Sequence, residues 1–499
     1  MESLDLRPLD SLSAGALLVV GGDRVLRVSE ELAARYRPGD ALVFVEEREQ
    51  LLLIPARERL LAERAVGVAL DAFRRFSAVS DAQIDDFYAR FASKLESESI
   101  WAQIAKANQD DVADAKSRGR STTRLVASDK LRAAMVEGLR GWAQTRGGRS
   151  RVIERLERSG FRVALTTAPL GVVGFVFEGR PNVLADATGV LKSGNTVVFR
   201  IGRDALRTAR SIMELALVPA LSAAGLPEGS VNLLESSEHA AGWALFGDRR
   251  LSLAVARGSG PAVATLGALA RRAGVPVSVH GTGGAWIVAS TRAEATALES
   301  AVVDSLDRKV CNTLNVCCLP TSARERLLPA FLRGLERAGQ RRSQPFKLHV
   351  LRGQEASLPA DLFSRRVPVT RAEGVSLEPQ AELIDESELA REWEWEETPE
   401  VSLAFVDDLA HAVRLFNTHS PKLVASLIGP ERAEHEWFFD NVDAPFVGDG
   451  FTRWVDGQRA LGRPELGISN WEEGRLLARG GILTGDGIYT VRTRAELAP

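Results

Sequence analysis

Short apolar runs alternate with polar residues over positions 1–57, where Ala16–Val20, Arg24–Val28, Ala41–Val45 and Leu51–Ile54 read as strands. Ser29–Arg35 reads as a short helix between them, and Pro38-Gly39-Asp40 as a turn. A small β-rich unit is expected there. Over residues 58–144 the spacing becomes helical: Leu60, Leu61, Ala65, Val66, Val68, Ala69, Ala72 and Phe73 fall at three- and four-residue intervals, and Ser80 stands as the N-cap of a second long helix.

From about 162 to 279, β-branched runs alternate with helical segments. The strands are Gly171–Phe177, Thr196–Phe199, Val231–Leu234, Ser252–Val255 and Val275–Val279, and the helices are Val183–Leu191, Ala205–Leu221, His239–Phe246 and Ala262–Ala273. This pattern predicts βαβ units building a parallel sheet, a fold that binds ligands beyond the carboxyl ends of its strands. A second mixed α/β region spans 280–447 and includes an acidic stretch, Glu382–Glu400, expected to be solvated surface. A glycine-rich tail follows.

The chain has 499 residues, 45% hydrophobic and 26% charged, with a formal net charge of −3. That composition is globular and allows several domains. The charge balance gives no cationic field that would recruit nucleic acid, so none is expected. No apolar run approaches the roughly 20 residues of a membrane span, and the acidic N-terminus lacks the character of a targeting peptide. A cytoplasmic protein with reduced thiols is expected. Its three cysteines, Cys311, Cys317 and Cys318, show no zinc-ligand spacing, and its six histidines none either, so no metal is expected.

Candidate chemistry gathers at predicted strand ends. Arg257-Gly258-Ser259-Gly260 lies between a strand and a helix, where glycines admit a phosphate to helix-terminal amides; the same pattern also suits a plain tight turn. Arg308 and Lys309 precede Cys311 and favour its thiolate, whereas Cys317 and Cys318 sit in the apolar run Val316–Leu319 and read as core. In Glu178-Gly-Arg-Pro-Asn182, Arg180 suits an anion and Asn182 an oxyanion, or else the asparagine caps a helix. His280, alone, reads as a structural histidine.

In this order the pieces resemble the gamma-glutamyl phosphate reductase (glutamate-5-semialdehyde dehydrogenase) family of the aldehyde dehydrogenase superfamily. The matching stretches are Pro169-Leu-Gly-Val-Val-Gly174, Glu178–Asn182, Leu191-Lys-Ser-Gly-Asn195, Val310-Cys-Asn312, Phe451-Thr-Arg-Trp-Val-Asp-Gly457, Glu465-Leu-Gly-Ile-Ser469 and Ala478-Arg-Gly480. The resemblance implies two doubly wound α/β domains, the cofactor-binding one over 58–279 and the catalytic one over 280–447. It also implies an oligomerisation hairpin at 150–166 and a tail, 448–499, completing the site and the hairpin sheet. A homodimer or homotetramer follows by the same analogy.

The implied reaction reduces an acyl phosphate to an aldehyde, releasing phosphate, as in the proline branch of amino-acid biosynthesis. Cys311 falls on the family's nucleophile, Asn182 on its oxyanion donor. His280 stands where hydrolytic relatives place the glutamate that activates water, which implies a thioester that survives for phosphate. For the cofactor the resemblance points to Arg200, Arg203 and Asp204 at the adenosine ribose, Gly258, Ser259 and Gly260 at the phosphates, and Glu397 at the nicotinamide ribose. NADPH is the expected cofactor, with NADH the alternative, since arginine welcomes a 2′-phosphate and aspartate the free hydroxyls. Arg180, Asn312, Arg453, Asp456, Arg459 and Ser469 are implied to meet substrate. The family's usual run after Asp-Gly is replaced here by Asp456-Gly-Gln-Arg-Ala-Leu-Gly-Arg463, so Arg459 or Arg463 stands ready for a different anionic acyl chain.

Residues 1–57 have no counterpart in that family and resemble AbrB-type swapped-hairpin domains. With 7 Arg and no Lys against 10 Asp and Glu, this segment has the wrong sign for phosphate contacts, which favours dimerisation or partner docking. The competing reading of the whole chain is a non-catalytic assembly or regulatory protein working through that segment.

Overall fold

Val172–Phe177 and Ala285–Ala289 are apolar on both faces and fully buried, and Thr196–Ile201 is buried throughout although it carries Thr196 and Arg200, the condition of strands covered by helices on each side. They are central strands of two parallel sheets. The computed structural model describes residues 7–497 except 121, 123–124, 178, 372–373, 470, 473–474 and 477–480, so Glu178 and the Ala478–Gly480 motif lie outside the described residues. The chain forms two units, Met1–Gly281 with Gly462–Gly467 and Leu483–Pro499, and Thr282–Leu461 with Ile468–Ile482. The tail thus divides between the two.

The first unit opens with β1 Leu17–Val20, β2 Arg24–Arg27, α1 Glu30–Arg35, β3 Ala41–Val45 and β4 Gln50–Ile54, paired as two local hairpins. Helices α2 Ala56–Phe76, α3 Asp81–Glu96, α4 Glu98–Ser117 and α5 Asp129–Gln144 follow. Ser80 and Gln83 close a reciprocal capping box at the start of α3. The buried stripe of α2 is Ala62, Val66, Ala69, Ala72 and Phe76, while Leu60 and Val68 face solvent, so the stripe is rotated from the one read in the sequence. A helix with apolar residues on two sides leaves that choice to its neighbours.

After the hairpin β5 Val152–Arg158 and β6 Phe161–Ala168 come β7 Val172–Phe177, α6 Val183–Ala187, β8 Thr196–Ile201, α7 Leu206–Ile212, α8 Val218–Ala223, β9 Val231–Leu233, α9 His239–Phe246, β10 Leu251–Arg257, α10 Gly260–Arg272 and β11 Val277–His280. The expected single helix over 205–221 is broken by a π turn at 213–217; Pro219 has no N–H to donate back to Leu215, and the wider turn absorbs the gap. The parallel order is β11-β10-β7-β8-β9. Strand order therefore reverses between β7 and β10, and the carboxyl ends there are where such sheets hold ligands.

The second unit contains β12 Ala285–Ala289, α11 Ala295–Asp304, β13 Leu314–Pro320, α12 Arg324–Gln340, β14 Lys347–Leu351, α13 Asp361–Ser364, the hairpin β15 Arg366–Arg371 and β16 Gly374–Pro379, β17 Ala381–Ile384, β18 Glu400–Val406, α14 Leu409–His419, β19 Val424–Ile428, α15 Arg432–Asn441, β20 Phe446–Gly448 and α16 Gly457–Leu461. Its seven strands run β17-β14-β18-β13-β12-β19-β20. The last strands are β21 Glu465–Ile468, β22 Trp471–Glu472, β23 Arg475–Leu476, β24 Ile482–Thr484 and β25 Thr490–Leu497, and β25 joins β6 and β5 in a three-stranded antiparallel sheet. Each unit has its own core, built around Phe87, Phe91, Phe175 and Phe199 in the first and Trp286, Phe331 and Phe416 in the second.

Candidate active site

Cys311 sits between α11 and β13 on a loop that hydrogen bonds from both sides. The Thr313 N–H donates to the Val310 carbonyl at 3.0 Å, and the Val310 N–H to the Thr313 hydroxyl at 2.9 Å, closing a tight turn over the cysteine. The Gly284 N–H donates to the Cys311 carbonyl at 2.7 Å. Gly283 lies against the turn, where an added Cβ would come within 2.6 Å of the Cys311 Cβ. Cys311 is half-buried. Cys317 and Cys318 are fully buried in β13, and burial pushes the Cys318 thiol up to about 12 and that of Cys317 well above its ordinary value. They pack as small hydrophobes, as expected.

The tail fastens this loop from below. The Asn312 amide donates to the Val455 carbonyl at 2.5 Å and its oxygen accepts from Arg453. Arg453 also donates to Asp307 at 2.6 Å, and the Thr452 hydroxyl donates to the Asn312 carbonyl at 2.7 Å. Asn312 and Arg453, expected to meet substrate, are both buried and engaged with each other. Asp456 accepts the amides of Gln458 and Arg459 and so starts α16, while Arg459 lies over the Phe451 ring. Arg463 pairs with Asp486 in the first unit. Ser469 is buried, its N–H donating to the Gly481 carbonyl at 2.8 Å. Glu397 is exposed and pairs with Arg342 at 2.6 Å.

The acidic stretch departs from expectation. Glu392 accepts from Lys309 and, at 2.5 Å, from the Gly283 N–H, so one carboxylate grips both flanks of the cysteine turn. Asn315 holds that carboxylate in place: its oxygen accepts the Trp393 N–H at 2.9 Å and its amide donates to the Arg391 carbonyl at 2.9 Å. Glu400 is buried between His349 at 2.7 Å and Arg371 at 2.7 Å. Arg371 reaches Glu378 at 2.7 Å, Lys347 reaches Glu378 at 2.5 Å and Glu382 at 3.1 Å, and His349 stacks on Trp393. These acids are paired because an unpaired buried carboxylate is costly. Glu392 and Asn315 escaped the sequence reading; the one available signal was a polar residue inside the apolar run Leu314–Leu319.

In the first unit the expected cofactor residues collect at strand ends. Asn182 begins α6 and its amide donates to Asp186 at 2.9 Å, and Arg180 precedes it, half-buried. His280 ends β11, is buried, and its carbonyl accepts the Gly258 N–H at 3.1 Å, tying the Gly258 turn to the strand beside it. Ser259 is the N-cap of α10 but its side chain does not cap, leaving the glycine-flanked helix start open. Arg200, at the end of β8, is buried; its Nη2 donates to the Ser237 carbonyl at 3.2 Å and its Nε has no partner. Burial lowers its pKa, opposed by the nearby Glu238 and Glu58. Partial burial, then Arg200, lower that of His239. Arg203 is exposed, and Asp204 pairs with Arg118 at 2.9 Å.

A buried arginine with an unpartnered N–H and an open helix start beside a switch point fit a nicotinamide dinucleotide. Among the described residues no group of His, Cys, Asp or Glu has the arrangement of a metal site, and no helix is long and apolar enough to cross a membrane.

The sequence model of the aldehyde dehydrogenase family matches residues 46–338. The chain is 29% identical over 392 residues to the gamma-glutamyl phosphate reductase of Allorhizobium ampelinum, covering 76% of this chain and 83% of that one. To the gamma-glutamyl phosphate reductase of Rhodopseudomonas palustris it is 30% identical over 396 residues, covering 76% and 83%. The solved structure of gamma-glutamyl phosphate reductase from Thermotoga maritima superposes with a TM-score of 0.74 at 21% identity, over 87% of this chain and 98% of that one. Lactaldehyde dehydrogenase from Escherichia coli does so at 0.62 and 16%, over 92% and 96%. These matches lend no support to the AbrB-type resemblance of residues 1–57, and the family match itself opens inside that segment.

Proposed function

The chain belongs to the aldehyde dehydrogenase family, and on that premise we propose that it reduces gamma-glutamyl phosphate, or a related amino-acyl phosphate, to the semialdehyde with release of phosphate, in the cytoplasm and with NADPH. The observation that carries this reading is the contrast among its cysteines: two are locked in a strand, while Cys311 is half-buried on a turn braced from Gly283, Glu392 and the tail.

The Cys311 thiolate attacks the acyl carbon; a C–S bond forms, the C–O bond to phosphate breaks, and phosphate leaves with the electron pair. Bound nicotinamide supplies a hydride. Each addition at the carbonyl places charge on its oxygen, and the Asn182 amide and the Cys311 N–H are the donors we assign to it. Collapse of the Cys311 thiohemiacetal breaks the C–S bond and frees the aldehyde. Histidine rather than glutamate at position 280 withholds a water-activating carboxylate, so the thioester waits for phosphate in the reverse direction.

Arg200, with Arg203 beside it, holds the adenosine ribose and its 2′-phosphate, and the open start of α10 at Gly258-Ser259-Gly260 takes the diphosphate. Glu397 remains our assignment for the nicotinamide ribose. Arg180, Arg459 and Ser469 are assigned to the substrate; Asp456 acts through the start of α16. Asn312 and Arg453 hold the cysteine loop. Exposed Val152, Ile153, Phe161, Val491 and Leu497 on the β25-β6-β5 sheet supply an apolar surface for a homodimer or homotetramer.

The test is oxidation of glutamate-5-semialdehyde with phosphate and NADP+, in wild type and Cys311→Ala. Turnover that requires phosphate and disappears in the variant, with NADPH still quenching tryptophan fluorescence, supports the reading. Substantial turnover by Cys311→Ala removes the nucleophile from it.

A further inference from the structure

Asp204 poses a problem for the cofactor reading on which this inference rests. A carboxylate at the turn after β8 accepts ribose hydroxyls and repels a 2′-phosphate, which favours NADH. Its neighbours argue the other way: Arg200 ends the same strand and Arg203 starts the same turn, and His239 lies within the electrostatic reach of Arg200 and Arg120.

The turn is closely confined. Gly179, just after β7, lies against it, where an added Cβ would come within 3.3 Å of the Asp204 Cβ. Against the same turn packs α4, whose C-cap is Arg118. The Arg118 guanidinium reaches Asp204 at 2.9 Å, and it is aimed there by Asp114 one turn earlier, which takes Nη2 at 3.0 Å while its carbonyl takes Nε at 3.2 Å. Both partners of the Arg118–Asp204 pair are under one-third exposed. The carboxylate is ion-paired through Oδ1 with an arginine from a helix outside the βαβ repeat.

We propose that Arg118 is the residue that selects the nicotinamide: by occupying Asp204 it cancels the acidic signal of the β8 turn and leaves Arg200 and Arg203 to recruit the 2′-phosphate. Arg118 touches neither substrate nor the reacting atoms; it is a positioning residue acting through Asp204. Arginine suits the task because Nη2 meets both carboxylates while Nε donates to the Asp114 carbonyl, a second donor site that fixes the plane of the group and that lysine lacks. The pair is only partly buried, so its effect is read as selectivity and not as stability.

The experiment measures kcat/KM for NADPH and NADH with wild type, Arg118→Ala and the double variant Arg118→Ala/Asp204→Asn. Freeing Asp204 is expected to lower kcat/KM with NADPH by about tenfold, through KM, while raising it with NADH. Removing the freed charge in the double variant restores the NADPH preference. A wild type that favours NADH overturns the cofactor reading and this inference together. A wild type that favours NADPH, with an Arg118→Ala variant that keeps the same ratio or loses both cofactors equally, overturns the role of Arg118 alone.

Discussion

Gly283 and Cys311 meet backbone to backbone: the Cβ that Gly283 lacks would stand 2.6 Å from the Cβ of Cys311, a distance no real pair of side chains tolerates. The next residue, Gly284, holds φ +118°, a conformation L side chains rarely adopt, and donates its N–H to the Cys311 carbonyl. The two glycines let one strand entry pass directly beneath the Cys311 turn.

Gly283→Ala is therefore expected to push the turn aside. Overpacking of this kind costs on the order of 1–3 kcal/mol, and displacement of the sulfur should reduce kcat by more than tenfold while the KM for cofactor changes little. Steady-state kinetics with both ligands varied checks this. Wild-type kcat in a folded Gly283→Ala protein contradicts the placement of the turn.

Glu392 grips Lys309 on one flank of the turn and the Gly283 N–H on the other. In Glu392→Gln the amide still accepts one hydrogen bond, but the buried Lys309 ammonium loses its nearest counter-charge and keeps Glu394 only at 4.0 Å. The expected result is a lower melting temperature and slower alkylation of Cys311 by iodoacetamide, because the turn no longer holds the thiol open. A variant alkylated at the wild-type rate shows that the carboxylate does not set the geometry of the loop.

The sequence disclosed the parallel sheets more readily than the site. Strands such as Val172–Phe177 are apolar on both faces, so their burial is written in composition alone, and Cys317 and Cys318 could be read as core for that reason. The acidic stretch could not be read this way. Charge by itself suggests solvent, and only the arrival of Arg371 from β15, with Lys347 and His349 from β14, turns Glu378, Glu382 and the buried Glu400 into members of a partly buried network. Asn312 and Arg453 were legible as important residues but not as partners, since they are separated by well over a hundred positions and their hydrogen bond exists only once the tail returns. Arg118 is a similar case: nothing near β8 in sequence announces it.

That network predicts the acid sensitivity of the second unit. The hydrogen bond from His349, assisted by Lys347, lowers Glu382 from 4.5 to about 2, and Arg371 holds Glu378 well below the usual carboxylate range. Depressed carboxylates stabilise the fold above their unfolded pKa, and that contribution is lost as pH falls from about 4.5 toward 2. The difference in melting temperature between wild type and Glu382→Gln, followed by circular dichroism, should therefore shrink between pH 6 and pH 3. An equal difference at both pH values means that Glu382 is not charged in its pair.

His280 offers the last and most chemical test. Its carbonyl accepts the Gly258 N–H, so the backbone at the end of β11 is fixed by the sheet whatever side chain it carries. The position is buried. A glutamate placed there is partly desolvated, which raises its pKa toward neutrality and makes it a competent general base. His280→Glu should then divert the acyl-enzyme to water: semialdehyde oxidation would proceed without phosphate and yield the free acid in place of the acyl phosphate. Product analysis by mass spectrometry distinguishes the two. If the folded variant, still able to bind NADPH, keeps the wild-type dependence on phosphate, then residue 280 does not face the thioester, and resistance to water must come from elsewhere in the site.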